Sequence, residues 1–255
     1  MMLPRFWVPS PLLSGTCELP DFEAHHLRNV LRMAVGESIE LFDGAGRSAV
    51  GIISNVSKRS AQVQVAEVKI TAPERPAITL ATAIPKGDRF DWLIEKATEI
   101  GVSTLVPLRT SRSTVDPRDS KIERLRQVVI AACKQSRRND ALVIEPVTDW
   151  STFLAKINLP ERWILAHPGG ASLSSAMTLC GDAVSATPIL AAVGPEGGWS
   201  DEEAAEARDR GAISVSLGPH ILRVETAGLY LAATLKQALT GTHCGGGERA
   251  GTSMS

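Results

Sequence analysis

The most informative part of the sequence is a pair of stretches near the C-terminus: Gly194-Pro195-Glu196-Gly197-Gly198 and Leu217-Gly218-Pro219-His220-Ile221-Leu222-Arg223-Val224-Glu225-Thr226-Ala227. Each stretch follows a predicted strand and leads into a predicted helix. Glycine-rich backbone therefore lies at the carboxyl ends of two strands, which is where α/β sheets bind their ligands. The two stretches together predict an α/β fold with one ligand site formed by both loops.

From residue 78 onward the chain alternates between strands and helices. An apolar run over 78–84 predicts a strand that is covered on both faces, and the helix predicted over 88–100 ends at Gly101. Ser200 and Glu203 form the sequence signature of a capping box at the start of a later helix. The other predicted elements are strands over 103–108, 142–147, 163–167, 189–193 and 212–217, and helices over 120–137 and 225–239. This alternation predicts a mostly parallel sheet with helices on both faces.

Residues 1–70 have a different pattern, which is mostly β. The predicted strands lie over 38–42, 47–54 and 61–70, with a turn over 43–46. A helix is predicted from about Asp21 to Arg32, with Asp21 as its N-cap. This part of the chain predicts a small barrel with one helix attached.

The domain boundaries follow from composition. Two prolines make residues 71–76 a linker. The tail is rich in Gly and Ser and lacks the apolar residues needed for packing, so it is predicted to be disordered. The expected division is a barrel domain over 1–72, an α/β domain over 73–241 and a tail over 242–255.

The composition is that of a globular protein, with 44% hydrophobic and 22% charged residues. No apolar run reaches the ~18 residues of a membrane span, and the N-terminal segment lacks the apolar core of a signal peptide. We therefore expect a cytoplasmic protein without a membrane partner. The four cysteines are far apart and the five histidines form no H-x-x-x-H pair, so neither a disulfide framework nor a metal site is expected.

The net charge is only −1, but the charge is unevenly distributed. Residues 109–138 contain nine basic and three acidic residues, which gives this segment a net charge of +6. A basic surface of this kind binds phosphates even when the whole chain is nearly neutral. A solvated helix face is the alternative, and composition alone favours it.

The loop over 194–198 combines glycines, which let backbone approach a ligand closely, with Pro195, which stiffens the turn. Glu196 and the acidic run that begins at Asp201 would repel a phosphate, and the G-x-G-x-x-G fingerprint is absent. A nicotinamide dinucleotide is therefore not expected. A ligand that is neutral or positive at this end fits better, and S-adenosylmethionine, with its positive sulfonium, is one such ligand. A tight structural turn is the alternative for this loop taken alone.

The loop over 217–227 divides into an apolar part and a polar part. Leu217 to Leu222 can supply the apolar walls and backbone groups of an adenine slot. Arg223 and Glu225 follow where the loop becomes a helix, and Thr226 can cap that helix or contact a ligand. The alternative to a functional role is that Glu225 simply favours the N-terminus of a helix.

These motifs in this order resemble the 16S ribosomal RNA uridine-N3 methyltransferase family of the SPOUT superfamily, whose members are trefoil-knotted methyltransferases. The resemblance covers about residues 3–240. Arg137 is a departure, since glycine is usual there. Besides the two loops, the similar stretches are His25-His26-Leu27, Val30-Leu31-Arg32, Lys86-Gly87-Asp88-Arg89, Glu95-Lys96, Glu99-Ile100-Gly101-Val102, Ala131-Ala132-Cys133, Gln135-Ser136 and His167-Pro168.

The resemblance implies a deep trefoil knot in the C-terminal domain, a PUA-like RNA-binding barrel at the N-terminus, and a homodimer whose active site draws on both subunits. It also implies methyl transfer from S-adenosyl-L-methionine to N3 of a uridine in the RNA of the small ribosomal subunit. The two loops and the loop around His167 would form the cofactor pocket. The implied cofactor-binding residues are Leu165, His167, Gly194, Pro195, Glu196, Gly197, Gly198, Leu217, Gly218, Leu222 and Arg223.

The reacting uracil needs to lose the proton of N3, or its anion needs stabilising. We expect Arg223 to stabilise that anion, Glu225 to be a candidate base or to orient Arg223, and Thr226 to lie beside them. Uracil N3 is on the pairing edge, so the base must be unpaired to react. The expected phosphate ligands are Arg28, Arg32, Lys86, Arg89, Arg109, Arg112 and Arg138.

Three other functions compete with this interpretation. A related knotted methyltransferase could act on transfer RNA or on a ribose, although the N-terminal barrel and the Arg-Val-Glu-Thr signature argue against it. A non-catalytic RNA-binding assembly factor would not need intact cofactor loops. A nucleotide-dependent oxidoreductase would need a dinucleotide fingerprint that the sequence lacks.

Overall fold

The computed structural model describes residues 2–58, 60–114, 120–156, 162–179 and 187–240. The predicted disordered tail over 242–255 lies outside these residues, as does the 115–119 part of the basic segment. Contacts divide the chain into two compact units. Unit 1 comprises Met1–Glu74, Lys86–Leu105 and Asp116–Pro146, and unit 2 comprises Arg75–Pro85, Val106–Val115 and Val147–Ser255.

Unit 1 contains the β-rich N-terminal segment that the sequence predicts. Its strands are β1 (Arg5–Trp7), β2 (Gly15–Glu18), β3 (Ser38–Phe42), β4 (Arg47–Val56), β5 (Ala61–Val65) and β6 (Lys69–Ile70). They form a sheet in the order β1-β3-β4-β5-β2, with β6 paired to β4. Alternate side chains, such as Ile39 and Leu41 on β3 and Val63 and Val65 on β5, are fully buried, so one face of the sheet forms the core.

The helix predicted from Asp21 to Arg32 is shorter than expected. Helix α1 spans Asp21–His25 and has Asp21 as its first residue rather than as its N-cap, and a π-helical turn continues it over His26–Val30. Arg32 follows with a left-handed backbone, at a φ of 55°. A helix continuing to Arg32 would have placed Arg28 and Arg32, four residues apart, on one face. The predicted C-terminal end of the helix is therefore wrong, because the helical part of the chain ends before Arg32.

Two longer helices also belong to unit 1. Helix α2 spans Arg89–Ile100 and ends at Gly101, whose φ of 96° is the left-handed cap that the sequence predicts. Helix α3 spans Ser120–Ser136 and contacts both α2 and β1. Because these helices pack in unit 1, the division by contacts differs from a linear boundary after residue 72.

Glu23 on α1 and Lys134 on α3 form an ion pair inside unit 1. The Glu23 side chain is fully buried, and its two carboxylate oxygens accept hydrogen bonds from Lys134 Nζ at 2.7 and 3.0 Å. The backbone N–H of Trp7 also donates to Glu23 Oε1, at 3.1 Å. Next to this pair, burial lowers the pKa of His26, and the charge of Lys134 acts in the same direction. A buried carboxylate that accepts three hydrogen bonds from two donors fixes α1 and α3 to the start of the sheet.

Arg137 occupies the position after α3 at which the resemblance would place a glycine. Its φ is 61°, so it has the left-handed backbone of a helix C′ residue, which costs a residue with a Cβ about 1 kcal/mol or more. Its guanidinium forms an ion pair with Glu40. The ion pair with Glu40 therefore offsets the backbone strain that arises because this position is not a glycine.

We expect Arg137→Gly to change the free energy of unfolding by less than about 1 kcal/mol, because relief of the left-handed strain offsets the loss of a surface ion pair. Chemical denaturation of both proteins measures this. Arg137→Ala is the matched comparison, since it loses the ion pair but keeps the strain, and it should be the less stable of the two variants. An alanine variant as stable as the glycine variant would contradict this account.

A seven-stranded sheet carries the second half of the fold. Its strands are β7 (Ile78–Ala83), β8 (Thr104–Arg109), β9 (Val143–Ile144), β10 (Thr148–Asp149), β11 (Arg162–Ser172), β12 (Ile189–Val193) and β13 (Ile213–Ser216). The order is β10-β8-β7-β12-β11-β13, with β9 beside β8. Strand β12 pairs in parallel with β7 and β11, and β11 pairs in parallel with β13. The α/β class with a parallel sheet is confirmed.

Within the described residues of unit 2, the helices that accompany this sheet are α4 (Trp150–Lys156), α5 (Leu173–Leu179), α6 (Asp201–Asp209) and α7 (Val224–Thr240). Helix α6 begins with the predicted capping box, in which the Ser200 side chain and the Glu203 side chain each bind the other residue's N–H. Helix α7 contacts β7 and β12, and α5 contacts β11 and β13. The sequence analysis did not find α4 or α5, which are only seven residues each.

The core of unit 2 centres on three tryptophans. Trp150 and Trp199 have ring centroids 4.8 Å apart, and Trp150 and Trp163 are 6.3 Å apart. All three are at most 5% exposed. Large rings of this kind bury 150–250 Å² each, so they contribute much of the apolar stabilisation of the unit. Trp199 directly follows the loop over 194–198, which places that loop on a rigid base.

Candidate active site

Three loops of unit 2 lie at one edge of the sheet. Strands β12, β11 and β13 are consecutive neighbours and run in parallel, so their carboxyl ends lie side by side. The loop over 194–200 follows β12, a bulge over 167–170 interrupts the end of β11, and the loop over 217–223 follows β13. The sequence analysis predicted the first and third loops and associated His167 with them, and the strand order brings all three segments together.

The loop over 194–198 is a closed turn. The Gly198 N–H donates to the Pro195 carbonyl at 2.8 Å, and Gly198 has a φ of 71° that favours glycine. A Cβ at Gly194 would lie 3.0–3.2 Å from the indole of Trp199. Glycine at 194 therefore lets the turn lie flat on the tryptophan. The Glu196 side chain is exposed at the tip of the turn.

The bulge in β11 contains His167, Gly169 and Gly170. Val215 of β13 is paired with both Ala166 and Ala171, so residues 167–170 loop out of the ladder. The Gly169 N–H donates to His167 Nδ1 at 3.1 Å. With Nδ1 as acceptor, the neutral imidazole carries its proton on Nε2, where it can donate to a ligand.

Gly170 is a site residue that the sequence analysis missed. A Cβ on Gly170 would lie 2.4 Å from the Val215 N and 2.5–2.6 Å from the carbonyl group of Ser214, so its α-carbon touches the backbone of β13. Only glycine permits this approach. The available signal was the pair of glycines directly after a predicted strand, which often marks a bulge or a close backbone contact.

The loop over 217–223 has an apolar character in an accessible position. Leu217 and Leu222 are half-buried, and Ile221 is 95% exposed. Gly218 has a φ of 120°, and Ser216 Oγ donates to its carbonyl at 3.2 Å. Leucines that are only partly covered by the protein can pack against the flat face of a purine.

Leu165, which was expected to contact the cofactor, lies in the core instead of in an accessible loop. Its side chain is fully buried in the core cluster that includes Trp163 and Trp199. Any contribution of Leu165 to a ligand site is therefore made through its backbone or through support of the bulge that follows it.

The three candidate catalytic residues lie where the third loop becomes α7. The Arg223 carbonyl accepts the Ala227 N–H at 2.8 Å, and its side chain is exposed. Glu225 is only 5% exposed and lies in the first turn of α7, whose dipole favours a carboxylate. Thr226 is exposed. The guanidinium and the hydroxyl are thus accessible, whereas the carboxyl is buried at the start of the helix.

Two of the seven predicted phosphate ligands, Arg138 and Arg112, each donate to two backbone carbonyls, although Arg112 is otherwise exposed. Arg138 Nη1 donates to the carbonyls of Thr98 and Val102 at 2.9 and 2.7 Å, and its side chain is only 9% exposed. This geometry argues against Arg138 as a phosphate ligand. Arg112 Nη1 donates to the carbonyls of Gly197 and Trp199 at 2.8 and 3.0 Å.

The other five predicted phosphate ligands differ in exposure, since Arg28 and Arg89 are half-buried whereas Arg32, Lys86 and Arg109 are exposed. Lys86 and Arg32 are exposed, and Arg109 forms an exposed ion pair with Asp149 at 2.8 Å. Arg89 Nε donates to the Lys86 carbonyl at 3.1 Å, and Arg28 Nη1 donates to the Ser57 carbonyl at 2.6 Å. The three exposed cations, Arg32, Lys86 and Arg109, can reorient towards a polyanion at little cost.

Within the part of the chain that the structure describes, no three His, Cys, Asp or Glu side chains are grouped so that they could hold a metal ion. Across those residues, no helix combines the length and apolarity that a membrane span requires.

The chain is similar to known RNA methyltransferases. Residues 73–236 match the model of the RNA methyltransferase domain, and residues 19–66 match that of the RNA methyltransferase PUA domain. The chain therefore belongs to this RNA methyltransferase family. Relatives include proteins named ribosomal RNA small subunit methyltransferase E. That of Synechocystis sp. is 33% identical over 222 residues, covering 86% of this chain and 72% of the relative. That of Bacillus subtilis is 29% identical, covering 84% and 88%.

Solved structures agree with this assignment. The ribosomal RNA small subunit methyltransferase E of Neisseria gonorrhoeae, bound to S-adenosylmethionine, has a TM-score of 0.80 and 32% identity, covering 92% of this chain and 97% of that one. A methyltransferase from Legionella pneumophila in complex with the same cofactor has a TM-score of 0.81 and 30% identity, covering 93% and 98%. The prediction of an RNA methyltransferase with a PUA domain is confirmed.

Proposed function

We propose that this protein methylates N3 of a specific uridine in the 16S RNA of the small ribosomal subunit, with S-adenosyl-L-methionine as methyl donor. The observation that carries the proposal is the juxtaposition of three loops at the carboxyl ends of β12, β11 and β13. Similarity to relatives named for ribosomal RNA methylation and to cofactor-bound structures supports the same conclusion.

The residues present suit this cofactor. The turn over 194–198 offers glycine backbone and an exposed carboxylate at Glu196, which suits a positively charged ligand better than a phosphate. Leu217 and Leu222 would cover the adenine, and His167 Nε2 would donate a hydrogen bond. When bound, the cofactor supplies an activated methyl group, so the protein needs to supply alignment and electrostatics.

The catalytic work of the chain centres on Arg223. Uracil N3 carries a proton in its neutral form and becomes a good nucleophile only when that proton leaves. The exposed Arg223 guanidinium would stabilise the negative charge that develops on a uracil oxygen. Glu225 would accept the proton or orient Arg223, and Thr226 would contact the substrate from the first turn of α7.

RNA binding would draw on the exposed cations, among them Arg32, Lys86 and Arg109. A site with about four phosphate contacts should lose roughly 10²-fold in RNA affinity between ~50 and ~200 mM salt, because bound counterions are released. Filter binding or fluorescence anisotropy with a fragment of small-subunit RNA measures this loss. Lys86→Ala should reduce the slope of log affinity against log salt by about one unit. An affinity that does not change with salt would contradict the phosphate assignment.

Three further features belong to the proposal. The resemblance of the loop motifs to the SPOUT superfamily implies a deep trefoil knot formed by the C-terminal part of the chain and a homodimer whose active site draws on both subunits. The domain boundaries expected from the sequence are close to the ranges of the two family matches, 19–66 and 73–236. A ribosomal substrate also favours a place in the cytoplasm.

The deciding experiment is mass spectrometry of ribosomal RNA from cells that lack this protein. Loss of one N3-methyluridine from the 16S RNA, restored by the wild-type gene, is the expected result. Loss of a modification from transfer RNA or from a ribose would support the competing substrate classes instead. An unchanged modification profile together with cofactor binding in calorimetry would point to a non-catalytic role.

A further inference from the structure

Arg112 lies in a short turn that follows β8, and this turn lies against the loop over 194–200. The turn is closed by the Thr110 N–H, which donates to Ser113 Oγ at 2.9 Å, and by the Ser113 N–H, which donates to the Thr110 carbonyl at 3.1 Å. The basic segment of the sequence includes this turn, which is why Arg112 was expected to bind phosphate. Its hydrogen bonds indicate another role.

The Arg112 side chain binds two backbone carbonyls of the loop over 194–200. Its Nη1 donates to the Gly197 carbonyl at 2.8 Å and to the Trp199 carbonyl at 3.0 Å. The aliphatic stem lies along Gly197, because a Cβ at that glycine would be 3.4 Å from both Cβ and Cδ of Arg112. Since a peptide unit is planar, fixing the Gly197 carbonyl also fixes the direction of the Gly198 N–H.

Glu203 makes a second connection between the same two segments. Its Oε1 accepts the Ser111 N–H at 2.7 Å, and its Oε2 accepts the Ser200 N–H at 2.9 Å. The residue is only 6% exposed, so both bonds are protected from water. The capping box of α6 therefore also fixes the turn that carries Arg112.

Trp199 connects the loop to the neighbouring strand. Its Nε1–H donates to the Ala166 carbonyl at 3.0 Å, directly before His167, and its ring supports Gly194. Three side chains thus hold a loop whose glycines would otherwise sample many conformations. A glycine-rich turn loses much conformational entropy when a ligand orders it, so preordering it strengthens binding.

The positive charge of Arg112 also helps to hold the loop over 194–200 in place. The first turn of α6 contains Asp201, Glu202 and Glu203, and Glu196 lies in the loop itself. Hydrogen bonds to its own backbone N–H and to Ser200 lower the pKa of Glu202, with a smaller contribution from the charge of Arg112. A cation among these carboxylates reduces their mutual repulsion and keeps the loop compact.

We propose that Arg112 is a positioning residue for the cofactor, which holds the 194–199 loop in its binding conformation, and is not an RNA phosphate ligand. The proposal rests on the proposed cofactor, S-adenosylmethionine. Loss of an arginine that contacts RNA phosphates would weaken RNA binding and lower its salt dependence. Loss of Arg112 should instead weaken cofactor binding and leave the electrostatics of RNA binding unchanged.

The test compares Arg112→Ala with wild type and with Arg208→Ala, which removes an exposed arginine from α6. Calorimetric titration with S-adenosylmethionine should give a Kd about 10- to 100-fold higher for Arg112→Ala and an unchanged Kd for Arg208→Ala. RNA affinity without cofactor, and its salt slope, should equal those of wild type. Hydrogen exchange should be faster at Gly198 and Ser200 in Arg112→Ala alone.

Arg112→Lys provides a second variant in case the alanine variant does not fold. It keeps the charge but cannot reproduce the planar guanidinium geometry, so its cofactor Kd should still rise several-fold. A cofactor Kd within twofold of wild type in a folded Arg112 variant would overturn the proposal, and a salt slope lower by about one unit would restore the phosphate role. A wild-type chain that binds no S-adenosylmethionine would instead overturn the proposed function.

Discussion

Replacing Gly170 by alanine is expected to destabilise the protein by about 3 kcal/mol, at the upper end of what overpacking costs. The new Cβ would lie 2.4 Å from the backbone nitrogen of Val215, and backbone cannot move aside as a flexible side chain can. Strands β11 and β13 would need to separate at the edge where the three loops meet. Thermal unfolding should show a Tm lower by about 6–12 °C, and calorimetry should show cofactor affinity reduced more than tenfold.

Gly169→Ala is the matched control for this prediction. A Cβ at Gly169 would lie 3.5 Å from the His167 ring, which is ordinary van der Waals contact. Its stability should therefore stay within about 0.5 kcal/mol of wild type. If the two alanine variants had the same Tm and the same cofactor affinity, the close approach of Gly170 to β13 would be shown to matter neither for stability nor for cofactor binding.

Replacing Arg223 by alanine is expected to lower kcat for methylation by about 10²- to 10³-fold, the effect of removing one group that stabilises a developing anion. The side chain is exposed at the start of α7, away from the buried core, so the fold should be unaffected. Single-turnover methylation of small-subunit RNA or of 30S subunits, with labelled S-adenosylmethionine, measures the rate. Calorimetry on the same preparation should show that the variant still binds the cofactor.

Two further proteins sharpen this result. Arg223→Lys keeps a positive charge and should recover part of the lost rate, because an ammonium can still stabilise an anion although it lacks the planar fork. Arg208→Ala, which removes an arginine elsewhere on the surface of unit 2, should leave the rate unchanged. Undiminished turnover by a cofactor-bound Arg223→Ala protein would exclude the proposed role.

The elements that the sequence predicted well are those with a local cause. The apolar run of β12, the Ser200 capping box of α6 and the left-handed Gly101 after α2 were each predicted from a few adjacent residues. The elements that it missed or misjudged depend on distant contacts. The π-helical turn over His26–Val30 ends a helix that local pattern would have continued, and it does so beside the buried Glu23–Lys134 pair.

The arginines show the same division most clearly. By sequence alone, Arg109, Arg112 and Arg138 are three members of one basic segment. In the structure, Arg109 is exposed beside Asp149, whereas Arg138 binds carbonyls at the end of α2 and Arg112 binds carbonyls of the cofactor loop. The residue type predicts that a guanidinium will seek oxygen acceptors. Which acceptors it finds depends on segments as many as 87 residues away.

The alternation of strands and helices in the sequence predicted the α/β class, and the order of its loop motifs carried the resemblance to RNA methyltransferases. The sequence also identified the two main loops of the site. The tertiary structure alone decided that β11 lies between β12 and β13, and so that the bulge with His167 and Gly170 lies between those loops. Strand order depends on packing between residues far apart in the chain, which no local pattern encodes.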